Sequence, residues 1–218
     1  MNRIFLVRHG ENYANITQEF SYKLVDYDLT EKGKEQALQT AAYFGSMKID
    51  EIYASPLKRA VQTAEYISAT VKKEFRMVEN FRELNVGDLE KKKPDAQSWD
   101  VYFSVTNDWY AGIKESRFPN GEDYFELFNR FKQGLDYVTH DKDDKNIIIV
   151  GHGGIFTACI LDLCSIKDRK EFVSRQNHNC SISEIVVEPN KVNLVRWADC
   201  SHLSGEAARF MNGLPDKK

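Results

Sequence analysis

The sequence predicts an α/β fold: a three-layer α/β/α sandwich with a mostly parallel central sheet and a small helical cap insertion. Three observations carry this. Short apolar runs alternate with helix-period segments along most of the chain, the pattern of strands joined by crossover helices. Two runs, IFLV at residues 4–7 and NIIIV at 146–150, are almost unbroken apolar stretches, as strands covered on both faces are. Residues 91–120 break the rhythm, with breakers at both ends and six aromatic residues between them.

Taken in order, Ile4–Val7 reads as a short buried strand. Thr30 caps a helix over about Glu31–Gly45, with Ala37, Leu38, Ala41 and Phe44 on one face. IDEIYAS (49–55) gives a second strand. Ser55 then reads as an N-cap with Pro56 at the first helical position, and Ala60, Ala64, Ile67 and Val71 mark the buried stripe of that helix. FRMVE (75–79) is a short third strand.

Inside the insertion, Trp99, Tyr102 and Phe103 fall at helical spacing, followed by Trp109, Tyr110 and Phe118. These read as a cap glued to the body by aromatic packing, with one or two rings available to face a ligand. Phe125, Phe128, Phe131, Leu135 and Val138 trace a helix, and DKDDKN (141–146) is a polar turn. NIIIV is the most strand-like stretch, with a helix at Ile155–Leu163 after it. Ser181–Val187 and Val192–Trp197 pair around a turn at Pro189-Asn190. Residues 1–211 thus read as one domain carrying its insertion, and 212–218 as a loose C-terminal tail.

Composition narrows the function. The 218 residues suffice for a substantial core, and 42% apolar with 29% charged residues is ordinary for a soluble globular chain. A formal net charge of -3 supplies no global basic field to recruit nucleic acid or an anionic membrane, so any anion site must be local. No apolar stretch reaches bilayer length, and the run after Met1-Asn2-Arg3 is too short for a signal-peptide core. Cys159, Cys164, Cys180 and Cys200 show no CxxC pairing and read as reduced thiols of a cytoplasmic protein. The sequons at Asn15 and Asn179 are then chance matches. No HExxH spacing is present, and no metal or cofactor is expected. The sequence does not fix the oligomeric state; a homodimer is compatible with it.

In parallel α/β sheets, ligands sit beyond the carboxyl ends of the strands. His9, Arg59 and His152 each follow such an end. A single histidine after a strand is ordinarily a loop residue, and a cation in the first turn of a helix opposes its dipole by only about 0.3–1 kcal/mol. Their company changes the reading. Arg8 supplies a planar fork suited to two phosphate oxygens, while Gly10, Gly153 and Gly154 remove side chains where a ligand would approach the backbone. Two arginines and two histidines at one sheet edge make a positive pocket in an acidic chain. The natural guest is a phosphoryl group.

The ordered motifs LVRHGENYAN (6–15), DLTEKGKEQA (28–37), SPLKRAVQTA (55–64), FRELNVGDLE (81–90), PNGEDYFELFNRF (119–131) and VGHGGI (150–155) make the chain resemble the histidine phosphatase superfamily, also called the phosphoglycerate mutase-like family. The resemblance implies that His9 is the nucleophile and forms a phosphohistidine. Its ring must be neutral, with one nitrogen held by a hydrogen bond for which a backbone carbonyl is expected. Arg8, Arg59 and His152 would hold the phosphoryl oxygens, with Asn15 and Gly153 also at the phosphate; an ordinary loop-capping role is the alternative for Asn15. Glu83 would be the general acid by that resemblance, whereas spacing alone reads it as a surface glutamate paired with Arg82. Glu11 would support the site, and Glu122 matches the start of the family's GE helix.

By this resemblance the chain is a histidine acid phosphatase-type phosphomonoesterase acting on a small phosphorylated metabolite. The alternatives are a phosphoglycerate mutase, or a phosphate-binding regulatory protein without turnover. Lys91 stands where the family often has glycine, which affects the segment above the pocket. About 31 residues separate Glu90 from Glu122, shorter than the cover of the family's cofactor-dependent mutases, and this favours hydrolysis. Lys91-Lys92-Lys93 reads as solvated surface, or else as a lure for a second anionic group.

Overall fold

The computed structural model describes residues 1–210, so the expected loose tail at 212–218 lies outside the described residues. The chain runs β1 (Asn2–Arg8), α1 (Tyr13–Thr17), α2 (Glu31–Gly45), β2 (Glu51–Ala54), α3 (Lys58–Val71), β3 (Phe75–Met77), α4 (Ala96–Ala111), α5 (Tyr124–Thr139), β4 (Asn146–Gly151), α6 (Gly153–Leu163), α7 (Arg169–Ser174), β5 (Ile182–Glu188) and β6 (Lys191–Asp199). The strands form one six-stranded sheet in the order β3-β2-β4-β1-β5-β6. β3, β2, β4 and β1 are mutually parallel, while β5 and β6 complete the sheet antiparallel. The predicted α/β class and mostly parallel sheet are borne out.

The continuous apolar runs have their expected cause. Ile147, Ile148, Ile149 and Val150 are all fully buried because successive side chains enter opposite cores. Ile4, Leu6, Tyr53, Ile147 and Ile149 pack with Leu127, Phe131 and Leu135 of α5 and Ile155, Phe156 and Cys159 of α6. Phe5, Val7, Ile52, Ile148 and Val150 pack on the other face with Ala41 and Phe44 of α2 and Ala60, Ala64 and Ile67 of α3. Each buried valine, leucine, isoleucine or phenylalanine among these contributes roughly 1.5–3 kcal/mol relative to exposure. The sheet is thereby a rigid plate that fixes where each strand ends.

Thr30 caps α2 as expected, its hydroxyl accepting from the Gly33 N–H. Several local expectations differ. Leu38 and Phe125 are each half exposed rather than on a buried stripe. On α2, polar Gln36 and Thr40 take the buried face instead. Gln36 earns that position by accepting from the Glu11 N–H at 2.9 Å and donating to the Ala207 carbonyl at 3.0 Å. Helix α3 begins at Lys58, not at Pro56, with Leu57 as its N-cap. Ser55 is not the cap because its hydroxyl is engaged by a histidine described below. Helices α1 and α7, both short, have no counterpart in the sequence reading. Among the described residues, no helix is long and apolar enough to cross a membrane. All four cysteines are free thiols.

Candidate active site

The site is assembled by strand register. Arg8, the last residue of β1, pairs with Gly151, the last of β4. The next residues, His9 and His152, therefore leave adjacent parallel strands side by side, their ring centroids 5.2 Å apart. The pairing continues into the loop, where the His9 N–H donates to the Gly151 carbonyl at 3.0 Å. β2 ends one position over: the Ser55 N–H donates to the Val150 carbonyl at 2.8 Å, and α3 then delivers Arg59 to the same edge.

His9 is buried, and its Nδ1 lies 2.7 Å from the Gly10 carbonyl. Only the Nδ1–H tautomer satisfies that carbonyl, so Nε2 carries the lone pair. The expected backbone partner is therefore Gly10. Arg59 Nε donates to His9 Nε2 at 3.1 Å. Burial, then the charges of Arg59 and Arg8, hold His9 well below the ordinary histidine range. His152 is pushed the same way by burial, then by Arg59. Both rings are neutral near pH 7.

Ser55 is the residue that the sequence reading misplaced. Its Oγ lies 2.7 Å from His152 Nε2 and fixes that ring, whereas His152 Nδ1 has no hydrogen-bond partner among the described residues. Arg59 is 2% exposed; its Nη1 donates to Ser21 Oγ and its Nη2 to the Ser21 carbonyl, both at 2.8 Å. Burial lowers its pKa to about 10, which leaves it charged at neutral pH. Arg8 donates through Nη1 to the Asn177 carbonyl, and its Nε has no partner among the described residues. A half-buried cation with an idle donor is an anion receptor by chemistry.

Glu83 reaches the same edge from the loop after β3. It is not paired with Arg82, which is bound to Glu79. Its carboxylate accepts from the Gly154 N–H at 3.1 Å and the Ile155 N–H at 2.9 Å, at the N-terminus of α6, and from its neighbour Leu84 N–H at 3.0 Å. Behind it stands Arg130, a cation set among the apolar residues of α5. Arg130 donates to the backbone carbonyls of Asn80, Arg82 and Glu83 at 2.7–2.9 Å and to both carboxylate oxygens of Glu122. Glu122 in turn accepts from the Asn85 N–H at 2.8 Å. The pair Glu122–Arg130 thus moulds the loop that aims Glu83. An arginine beside Leu127 and Phe131 in an otherwise apolar stripe was the available sequence signal for Arg130.

Glu11 and the TEKG motif form one joint. The Glu11 carboxylate accepts from Thr30 Oγ1 and from Lys32 Nζ, each at 2.9 Å. A Cβ on Gly33 would lie 1.9 Å from the Glu11 carbonyl oxygen, so only glycine lets α2 dock on the His9 loop. Asn15 takes part in the capping box of α1 with Asn12, and its Oδ1 also accepts from Asn179 Nδ2 at 3.0 Å.

Arg8, His9, Asn15, Arg59, Glu83 and Gly153 all line one cavity of about 510 Å³, whose outer wall includes Trp99, Tyr102, Phe103 and Tyr110. His152 lies buried behind His9 rather than on that lining. Lys91 and Lys92 pair with Asp88 and Asp95, and the Lys91–Lys93 run does not reach the cavity. Among the described residues no group of three or more histidine, cysteine, aspartate or glutamate side chains is placed to hold a metal ion.

Comparison with known proteins identifies the family. The probable phosphoglycerate mutase GpmB of Erwinia tasmaniensis is 31% identical over 215 residues, covering 95% of this chain and 97% of that protein. The uncharacterized phosphatase PhoE of Bacillus subtilis is 29% identical over 205 residues, covering 94% and 98%. Among solved structures, a phosphoserine phosphatase mutant from Entamoeba histolytica in complex with phosphoserine superposes with a TM-score of 0.77 at 24% identity, covering 94% of this chain and 100% of that one. The model of the histidine phosphatase superfamily (branch 1) matches residues 4–200, and the chain belongs to that family.

Proposed function

We propose that this protein is a phosphomonoesterase that hydrolyses a small phosphorylated metabolite through a phosphohistidine on His9. The observation that carries the reading is the state of His9: Nδ1–H tied to the Gly10 carbonyl, and Nε2 directed at Arg59 on a cavity edged by Arg8 and Glu83. In the first step the Nε2 lone pair attacks phosphorus, a P–N bond forms, and the P–O bond to the leaving alcohol breaks. Phosphoryl oxygens replace the imidazole as acceptors for Arg59, and take up the idle donor of Arg8. These fixed donors stabilise the charge of the in-line transfer. His152, held by Ser55, keeps its ring 5.2 Å from that of His9 and supports the nucleophile's position. Glu83 gives its proton to the departing oxygen. In the second step it takes a proton from water, which attacks phosphorus and returns the electron pair to Nε2.

The name of the Erwinia tasmaniensis relative favours a second reading, phosphoglycerate mutase. The two differ in the fate of the phosphohistidine. A mutase keeps water out until a second hydroxyl accepts the group; a phosphatase admits water. Purified protein treated with a chelator and offered a panel of phosphomonoesters should release inorganic phosphate. Interconversion of 3-phosphoglycerate and 2-phosphoglycerate faster than any ester hydrolysis would replace the first reading by the second.

A further inference from the structure

Beyond the arginines, the cavity opens into a chamber with a distinct chemistry. Its wall carries Trp99, Tyr102, Phe103 and Tyr110 from α4, facing Phe20. Phe20 lies 4.6 Å from the Trp99 ring and is stacked on Tyr102 at 5.5 Å, so the rings form a braced aromatic face. Burial raises the pKa of Tyr102 and of Tyr110, and both phenols keep their protons at neutral pH. The lining also carries amides, among them Asn177, whose Nδ2 is buried without a hydrogen-bond partner among the described residues.

Charge is the telling feature. Among the described residues, Lys32 is the one lysine or arginine on the lining besides Arg8 and Arg59, and Glu11 already neutralises it at 2.9 Å. His178 also borders the space, but burial lowers its pKa and its ring is stacked on Phe210 at 4.2 Å. Glu19 adds negative charge. A leaving group with its own carboxylate or second phosphate would lose its hydration here and meet no unpaired cation. A flat, uncharged ring meets faces on which to stack and neutral donors for its heteroatoms. A volume of about 510 Å³ is in the range of pockets for molecules of mononucleotide size.

We infer that this chamber selects phosphomonoesters of uncharged, planar-ringed alcohols, of nucleoside or aryl type, over esters whose alcohol bears a second anionic group. This rests on the phosphomonoesterase reading and names its substrate class. The test combines turnover by the wild type with binding to His9→Ala, using adenosine 5′-monophosphate, 1-naphthyl phosphate and 3-phosphoglycerate. The expected result is a kcat/KM at least tenfold higher for one or both ring esters than for 3-phosphoglycerate, with the same order of affinities by calorimetry on His9→Ala. Preference for the naphthyl ester alone identifies a hydrocarbon ring, and preference for the nucleotide a heteroatom-bearing one. Trp99→Leu and Tyr102→Leu should each lower the ring-to-phosphoglycerate ratio at least fivefold. Preference for 3-phosphoglycerate, or a ratio that survives both substitutions, overturns the inference. Ordered binding to the ring esters without any phosphate release would sink the hydrolase reading while supporting the chamber's selectivity.

Discussion

A Cβ on Gly154 would lie 2.7 Å from Oε1 of Glu83. Gly154, the second residue of α6, is thus the floor on which that carboxylate rests, and its N–H is one of the donors that aim it. Gly154→Ala should displace Glu83 while leaving His9 and both arginines in place. A misplacement of about 1 Å in a reacting group can cost on the order of a hundredfold. We expect kcat to fall about ten- to hundredfold for alkyl esters, which need a proton on the leaving oxygen, and far less for 4-nitrophenyl phosphate, which does not. Equal losses on both substrates would deny Glu83 the role of proton donor.

Ser55→Ala removes the hydroxyl 2.7 Å from His152 Nε2. A buried ring nitrogen left without a partner costs about 1–3 kcal/mol. The denaturation midpoint should drop accordingly, and kcat/KM should fall about tenfold as the ring loses its orientation. Urea titration and steady-state kinetics on the same sample check both; an unchanged kcat/KM would show that His152 needs no such support.

Glu90 acts at longer range. Its Oε1 accepts from the backbone N–H groups of Tyr22, Lys23, Leu24 and Val25 at 2.7–3.0 Å, which ties down the loop that begins at Ser21, the partner of Arg59. Glu90→Gln weakens these charge-assisted bonds. The expected signature is a rise of about tenfold in the inhibition constant for inorganic phosphate, with kcat less affected. Lost stability with unchanged phosphate affinity would contradict a positioning role.

The buried histidines set a pH dependence of stability. His9 and His152 have lowered pKa values in the folded protein, so below about pH 6.5 the unfolded chain binds protons that the native state does not. Stability is therefore lost as pH falls through the ordinary histidine range, at a limiting slope of about 1.4 kcal/mol per pH unit for each buried ring. Burial, only partly opposed by Asp199, takes His202 down to about 4, and it contributes in the same direction over that window. Burial pushes Asp162 up, but hydrogen bonds from Arg169, Lys114 and Tyr124 outweigh it and hold the group at about 2. Its contribution fades only below the usual carboxylate range. Unfolding free energies at pH 7 and pH 5 should differ by several kcal/mol. A flat profile would mean that the rings ionise within the fold.

What the sequence made legible was what depends on strand order and local pattern. IFLV and NIIIV announced buried parallel strands, and their common register is what brings His9 and His152 together. The Thr30 cap and the Pro189-Asn190 turn were equally local. Long-range partnerships were hidden. Ser55 looked like a helix cap because a hydroxyl before proline usually is one, and only the third dimension supplies His152 as the stronger claim on it. Gln36 and Thr40 broke the apolar stripe of α2 because their polar atoms serve the loop and the neighbouring turn. Arg130 carried a visible oddity, a cation in an apolar stripe, but its five acceptors lie on segments 8 to 50 residues away.

The most direct measurement is capture of the intermediate. Rapid quenching of the wild type with a ³²P-labelled phosphomonoester should trap one acid-labile, base-stable phosphoryl group on His9, and His9→Ala should trap none and release no phosphate above background. Phosphate release by His9→Ala at a rate near that of the wild type, or label found on another residue, would contradict the account.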